Sequence, residues 1–236
     1  MTDPQEIRRE LVTANRILAA REVVDGFGHV SVRDPGDPAR FLISRSLAPA
    51  QVTIDDLMTV DGDGAVLDDD RPAFIERFIH AAIYRARADV TAVVHSHSPS
   101  VIPFGIVRDA PLRASYHMAA FLGDGAPVFE IRDTAGGGSD MLIRSGPLGA
   151  ALAAALGPHA AVLMRGHGAT VVGATLRQAV FRAVYLEVAA RVQTQAAALG
   201  PAIYLTAEEA AAAARANDGQ IDRAWNLWAQ AAAAPG

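Results

Sequence analysis

The stretch IERFIHAAIYRARADVTAVVHSHS, residues 75–98, changes periodicity halfway along. Its first half continues a pattern that Pro72 opens: Phe74, Phe78, Ile79, Ala82 and Ile83 recur at helical spacing as far as Arg87. Proline suits a first helical turn, where its missing N–H costs nothing. The second half, Val90–His97, is a β-branched run broken by Ser98-Pro99, as expected of a buried strand that ends at a turn. A helix feeding directly into a buried strand points to an α/β fold.

The pattern extends in both directions. Residues 5–22 place Ile7, Leu11, Ala14, Ile17 and Leu18 on one helical face. Glycines 26 and 28 then punctuate before Val30 and Val32 alternate with polar neighbours, which predicts a strand. A Pro/Gly loop leads to a short strand near Phe41–Ser44, a capped turn begins at Thr53, and a hairpin centres on Asp61–Gly64. Toward the C-terminus, residues 100–138 are irregular and glycine-rich, with a strand expected at 127–131. A helix follows at 145–156, a strand at 160–164 running into Gly166-His167-Gly168, and a long helix at 175–198. The tail, about 206–236, is alanine-rich and helical; Trp225 and Trp228 are read as packing anchors or as a flap over a site. No linker is apparent, so residues 1–236 are expected to form one domain with a mainly antiparallel central sheet covered by helices.

Composition narrows the function. Of 236 residues, 51% are hydrophobic and 20% charged, enough for a sizeable core. Twenty-one Lys+Arg against 26 Asp+Glu give a net charge of -5, which offers no basic footprint for nucleic acid or an anionic membrane. The N-terminal decapeptide has no apolar core of a signal peptide, and the expected location is cytoplasmic. With no cysteine, thiolate chemistry and Cys-ligated zinc are excluded, and any metal must rest on histidine and carboxylate.

Seven histidines are therefore the place to look. His95 and His97 end the strongest strand and, two apart, point to the same face, as a metal clamp requires. A His-x-His arises by chance in roughly one such sequence in five, so its place at a strand end carries the weight. Arg165-Gly-His167-Gly168 ends a second apolar strand in the same way; a histidine between glycines is either turn chemistry or a third ligand. Glu76 and His80 are four apart on the preceding helix, either a solvent-facing pair or part of the same site.

In that order the early GHVSVR, the Glu-x-x-x-His helix, the His-x-His strand and the later RGHGATVVG resemble the class II aldolase/adducin family from about residue 5 to 200. The resemblance implies a single-domain, three-layer class II aldolase-like fold. It implies one divalent metal ion per subunit, held by His95, His97 and His167, with Mn or Zn favoured over Co or Fe, and Glu76 as a metal-adjacent acid/base. Ring-like homotetramers with sites at subunit interfaces are implied as well. Adducin-like members supply the non-catalytic alternative.

Sugar-phosphate aldolases of the family hold phosphate with a Gly-Asn turn and a loop of small residues. Here the turn reads Gly28-His29-Val-Ser31 and the loop Ile43-Ser-Arg-Ser-Leu-Ala-Pro49. In their place stand His29, Arg33, Arg45 and Arg77, with His117 in a segment that resembles the family's catalytic loop. Guanidinium forks suit carboxylates. The pattern is most similar to the family's metal-dependent decarboxylases of hydroxylated aromatic or pyridine dicarboxylates. On that reading Glu76 or His117 protonates the ring carbon, and His29, Arg45, Arg33, Arg77 and His80 surround a small carboxylate substrate, His29 and Arg45 anchoring its second carboxylate. The alternatives are an aldolase acting on an unphosphorylated hydroxy-keto acid and, more remotely, a ferrous oxygenase.

Overall fold

A computed structural model of the chain describes residues 4–233. The expectations for residues 1–3 and 234–236 lie outside it. Strands β1 (His29–Arg33), β2 (Arg40–Ser44) and β3 (Leu57–Asp61) form an antiparallel meander. Strand β4 (Ala92–Ser96) pairs with β1 on one side and with β7 (Gly168–Gly173) on the other. Beyond β7 come β6 (Ala161–Met164) and the short β5 (Val128–Phe129), giving the order β3-β2-β1-β4-β7-β6-β5. Among the described residues only the β5–β6 pair is parallel.

Helices cover both faces, which makes three layers; two short helices, α3 (Ile102–Ile106) and α4 (Arg132–Ala135), lie along the chain between β4 and Gly146. On one face lie α1 (Pro4–Ala20) and α6 (Leu176–Leu199), packed on Val30, Val32, Ala92, Val94, Leu163 and Val171, with α8 (Ile221–Ala233) against both helices. On the other lie α2 (Arg77–Ala86) and α5 (Gly146–Leu156), packed on Phe41, Ile43, Val93, Val162 and Val172. Val93 and Val94 face opposite layers, as the two-residue period of a strand demands. The same alternation puts His29, Ser31 and His95 on the α2 face.

Caps mark where several elements begin. The Thr175 hydroxyl accepts from the Gln178 amide at the start of α6, and Thr206 and Glu209 form a capping box at the start of α7 (Ala207–Asp218). Thr53 and Asp56 do the same for a single 3-10 turn, the capped turn expected there.

Three expectations need correction. Helix α2 starts at Arg77 and not at Pro72, because Glu76 adopts a non-helical conformation ahead of the first turn. The stretch between His167 and the helix at 175, read without a strand, is β7: Gly166-His167 is a tight turn into it, and its short, glycine-bounded run carries no periodic signal. The tail is two helices, α7 and α8, and both indoles are buried against α1 and α6, as expected of packing anchors. Arg177 and Arg21 stack over Trp225 and Trp228 respectively.

Helices α2 and α5 approach closely at Gly149, where an added Cβ would lie 2.4 Å from the Phe78 carbonyl oxygen. Gly149→Ala gains up to ~1 kcal/mol of helix propensity but forces apart two packed backbones, at a cost of about 1–3 kcal/mol or more. The clash should win, and thermal unfolding is expected to show a Tm lowered by several degrees. An unchanged or raised Tm would mean that the two helices separate freely.

Candidate metal centre

Four side chains from three parts of the chain meet beside the end of β4. His95 is carried by the strand, His97 lies two residues on, His167 sits in the β6–β7 turn and Glu76 precedes α2. One ligand atom from each lies within 4.8 Å of every other. Gly168 makes this possible: a Cβ there would sit 2.1 Å from the Ser96 carbonyl oxygen, so only glycine lets the turn press against β4.

The protons on the imidazoles are assigned by their partners. Nδ1–H of His95 donates to the Ala169 carbonyl at 3.1 Å, and Nδ1–H of His167 to the Met141 carbonyl at 2.9 Å. Both Nε2 atoms therefore carry lone pairs, and both face Nε2 of His97, at 3.1 and 2.9 Å. At most one proton is available there, and it can serve only one neighbour. Glu76 Oε2 adds a negative charge 3.5 Å from Nε2 of His95 and of His167. Three lone pairs and a carboxylate converging on one point fit a divalent cation; donors at 2.0–2.1 Å from a tetrahedral centre stand about 3.3 Å apart. The backbone carbonyls on Nδ1 are the partners that orient ligating histidines.

The electrostatics favour positive charge at that point. Burial acts to raise the Glu76 pKa, but His95 and His167 hold it well below the usual carboxylate range. Burial opposes protonation of His167, yet Glu76 and the Met141 carbonyl raise its pKa. His97 is lowered to about 4 by burial and by the two neighbouring imidazoles, so it stays neutral and free to ligate. Glu76 is fixed from behind by the Ile143 amide, 2.9 Å from Oε1, leaving Oε2 toward the histidines. Met141 and Ile143 thus each hold one member of the cluster through the backbone, and Met141 does so with a left-handed φ of 67°.

The other candidates divide. His29 pairs with His95 across β1 and β4, and its ring lies 5.0 Å from that of His95 and 4.6 Å from Phe74. Arg45 forms a bridge with Ala73, three residues before Glu76; Asp56 takes its Nε at 2.7 Å, while its Nη atoms have no partner among the described residues. His80 does not share a face with Glu76, since Glu76 lies outside the helix: it is 0% exposed and bonded to His29 and Ser31. Arg33 sits at the far end of β1, its guanidinium given to the carbonyls of Pro38, Tyr84, Arg87 and Val90. Arg77 donates to Gly64 and Phe74 carbonyls and stacks on Phe78. These two arginines brace the structure and do not reach the cluster. His117 is exposed on a 3-10 turn against α7, its carbonyl accepting from Asn217, outside the cluster. Tyr84, Met141 and Ile143 have no motif of their own, and Ser31 stands in the Gly28-His29-Val-Ser31 turn without a role read for it. Ser31 and Tyr84 were legible only as alternation with His29 and four-residue spacing from His80.

The sequence profile of the class II aldolase and adducin N-terminal domain matches residues 9–194. The decarboxylase tropJ of Talaromyces stipitatus is 33% identical over 93% of this chain and 91% of its own. The 3,4-dihydroxyphthalate decarboxylase of a Terrabacter species is 34% identical over 86% of this chain and 87% of its own. Among solved structures, an L-fuculose 1-phosphate aldolase from Glaciozyma antarctica superposes with a TM-score of 0.78 at 27% identity, covering 97% of this chain and 89% of that one.

Proposed function

The chain belongs to the class II aldolase and adducin family, and on that footing we propose that it is a metal-dependent carbon–carbon lyase that decarboxylates a hydroxylated aromatic or pyridine dicarboxylate. The observation that carries this reading is the convergence of Glu76, His95, His97 and His167, which a purely structural relative has no need to preserve. The near full-length relatives named as decarboxylases favour loss of carbon dioxide over aldol cleavage.

A divalent cation, Mn or Zn by the donor set, would be held by the three imidazoles with Glu76 beside it and would supply Lewis-acid stabilisation of negative charge on a substrate oxygen. Glu76 Oε2 takes the proton of the hydroxyl beside the departing carboxylate. Glu76 then delivers that proton to the ring carbon bearing the carboxylate, which leaves a keto oxygen beside it, and as carbon dioxide departs the C–C bond pair restores the aromatic ring and the charge returns to that oxygen. The product phenoxide regains its proton from solvent. The free Nη atoms of Arg45 suit the second carboxylate. His117 is no part of this step within one subunit. Exposed Phe27 (69%) near His97 and Ile106 (56%) near Gly166 fit a mouth covered by a neighbouring subunit in a homotetramer. Among the described residues no helix is long and apolar enough to cross a membrane.

Purified protein supplied with Mn or Zn and a panel of hydroxylated benzene and pyridine dicarboxylates should release carbon dioxide from at least one of them. Aldehyde or pyruvate from hydroxy-keto acids, with no carbon dioxide from any member of the panel, would establish the aldolase instead.

A further inference from the structure

Behind the cluster a line of buried polar groups runs from His29 into the α2 layer. His29 Nδ1 lies 2.6 Å from His80 Nε2, His80 Nδ1 lies 2.6 Å from Ser31 Oγ, and Ser31 Oγ lies 2.7 Å from the Tyr84 hydroxyl. The line ends on the Thr91 carbonyl, 3.5 Å from that hydroxyl. All four side chains are buried, Tyr84 at 5% and His29 at 4% exposed. At the other end, the His29 ring lies 5.0 Å from that of His95, and its Nε2 has no partner among the described residues.

Such a line has two self-consistent proton arrangements, because each link needs one donor and one acceptor. Only its inner end has a fixed sense. A carbonyl can only accept, so the Tyr84 proton goes to Thr91. Ser31 then donates to Tyr84, Nδ1–H of His80 to Ser31, and Nδ1–H of His29 to Nε2 of His80. His29 is left presenting a lone pair at Nε2. The reversed arrangement keeps the three short bonds but gives up the one to Thr91, and it would present an N–H instead. We infer that Tyr84, acting through Ser31 and His80, sets the tautomer of His29 so that its Nε2 accepts a hydrogen bond from a ring hydroxyl of the substrate and disfavours a carboxylate at that position. Tyr84, Ser31 and His80 are positioning residues. The assignment departs from the expectation that His29 anchors a carboxylate, and it leans on the lyase reading only for the identity of the ligand.

Tyr84→Phe separates the two. The ring that packs on Arg33 and Phe41 is kept, while the hydroxyl is lost. Ser31 then has only His80 Nδ1 to donate to, and the line reverses. Nitrogen-15 spectra of histidine-labelled wild-type protein without substrate should show His29 and His80 protonated at Nδ1. In Tyr84→Phe both should switch to Nε2–H. With a hydroxylated dicarboxylate that the wild type decarboxylates, the variant should show KM raised about tenfold, the worth of one hydrogen bond, and little change in kcat. It should also lose its preference over the analogue lacking that hydroxyl. A wild-type spectrum showing Nε2–H on His29 would overturn the proposal even if Tyr84→Phe failed to fold, and so would an unswitched tautomer in a folded variant. The expected tautomers with no release of carbon dioxide from any substrate would uphold the line and reject the lyase reading alone.

Discussion

His95→Ala is expected to bind no stoichiometric divalent metal and to keep less than about one-thousandth of the lyase activity, because Lewis-acid stabilisation supplies several kcal/mol of the barrier and each 1.36 kcal/mol is tenfold in rate. His95 is the member most fully enclosed, oriented by the Ala169 carbonyl and shared between His97 and Glu76. Elemental analysis after gel filtration and thermal unfolding with and without added metal give two independent measurements. A cation at a free concentration a thousand times its Kd stabilises the native state by about 4 kcal/mol, roughly 10 °C in Tm for a chain of this size. Wild-type protein should show that shift and His95→Ala should not. In metal-free protein the variant should unfold close to the wild type, since it relieves the crowding of lone pairs while leaving a small cavity. Metal retained at the wild-type stoichiometry would show that the imidazoles are not ligands.

Glu76→Gln should lower kcat by about 10²–10⁴-fold, the span of a lost general acid–base. Glutamine preserves the size of the side chain and an oxygen for the Ile143 amide, so the backbone behind the site should hold. What is lost is the charge at Oε2, 3.5 Å from two of the imidazoles. Metal affinity should therefore fall as well, and saturating metal should restore occupancy without restoring turnover. Recovery of wild-type kcat at saturating metal would reduce Glu76 to a ligand and remove its role in proton transfer.

Part of this site was legible because its chemistry obeys local periodicity. Period two places His95 and His97 together whatever strand surrounds them, and glycines on both sides of His167 mark a turn. The same local reasoning misled at Glu76. Four-residue spacing joins it to His80 only inside a helix, and α2 begins one residue too late. Glu76 consequently faces the metal centre while His80 turns inward to His29 and Ser31. The arginines failed for another reason. A guanidinium is the same in a substrate pocket and under a row of carbonyls, and nothing adjacent in the chain tells Arg45, whose Nη atoms have no partner among the described residues, from Arg33 and Arg77, spent on the backbone.

By itself, then, the sequence determined the helix and strand that end at the histidines, the alternation of the meander strands, the cap at Thr53, and the absence of thiol chemistry. These depend on side-chain period and backbone preference over a few residues. Tertiary structure alone decided that β7 inserts between β4 and β6, bringing His167 to His97 across seventy positions of chain. It also decided that two backbone groups of a remote loop orient His167 and Glu76, and that His29 is backed by a hydrogen-bonded line to Tyr84. Those contacts rest on the register between strands and on which polar groups are shut away from water together, and both are set only when the layers close.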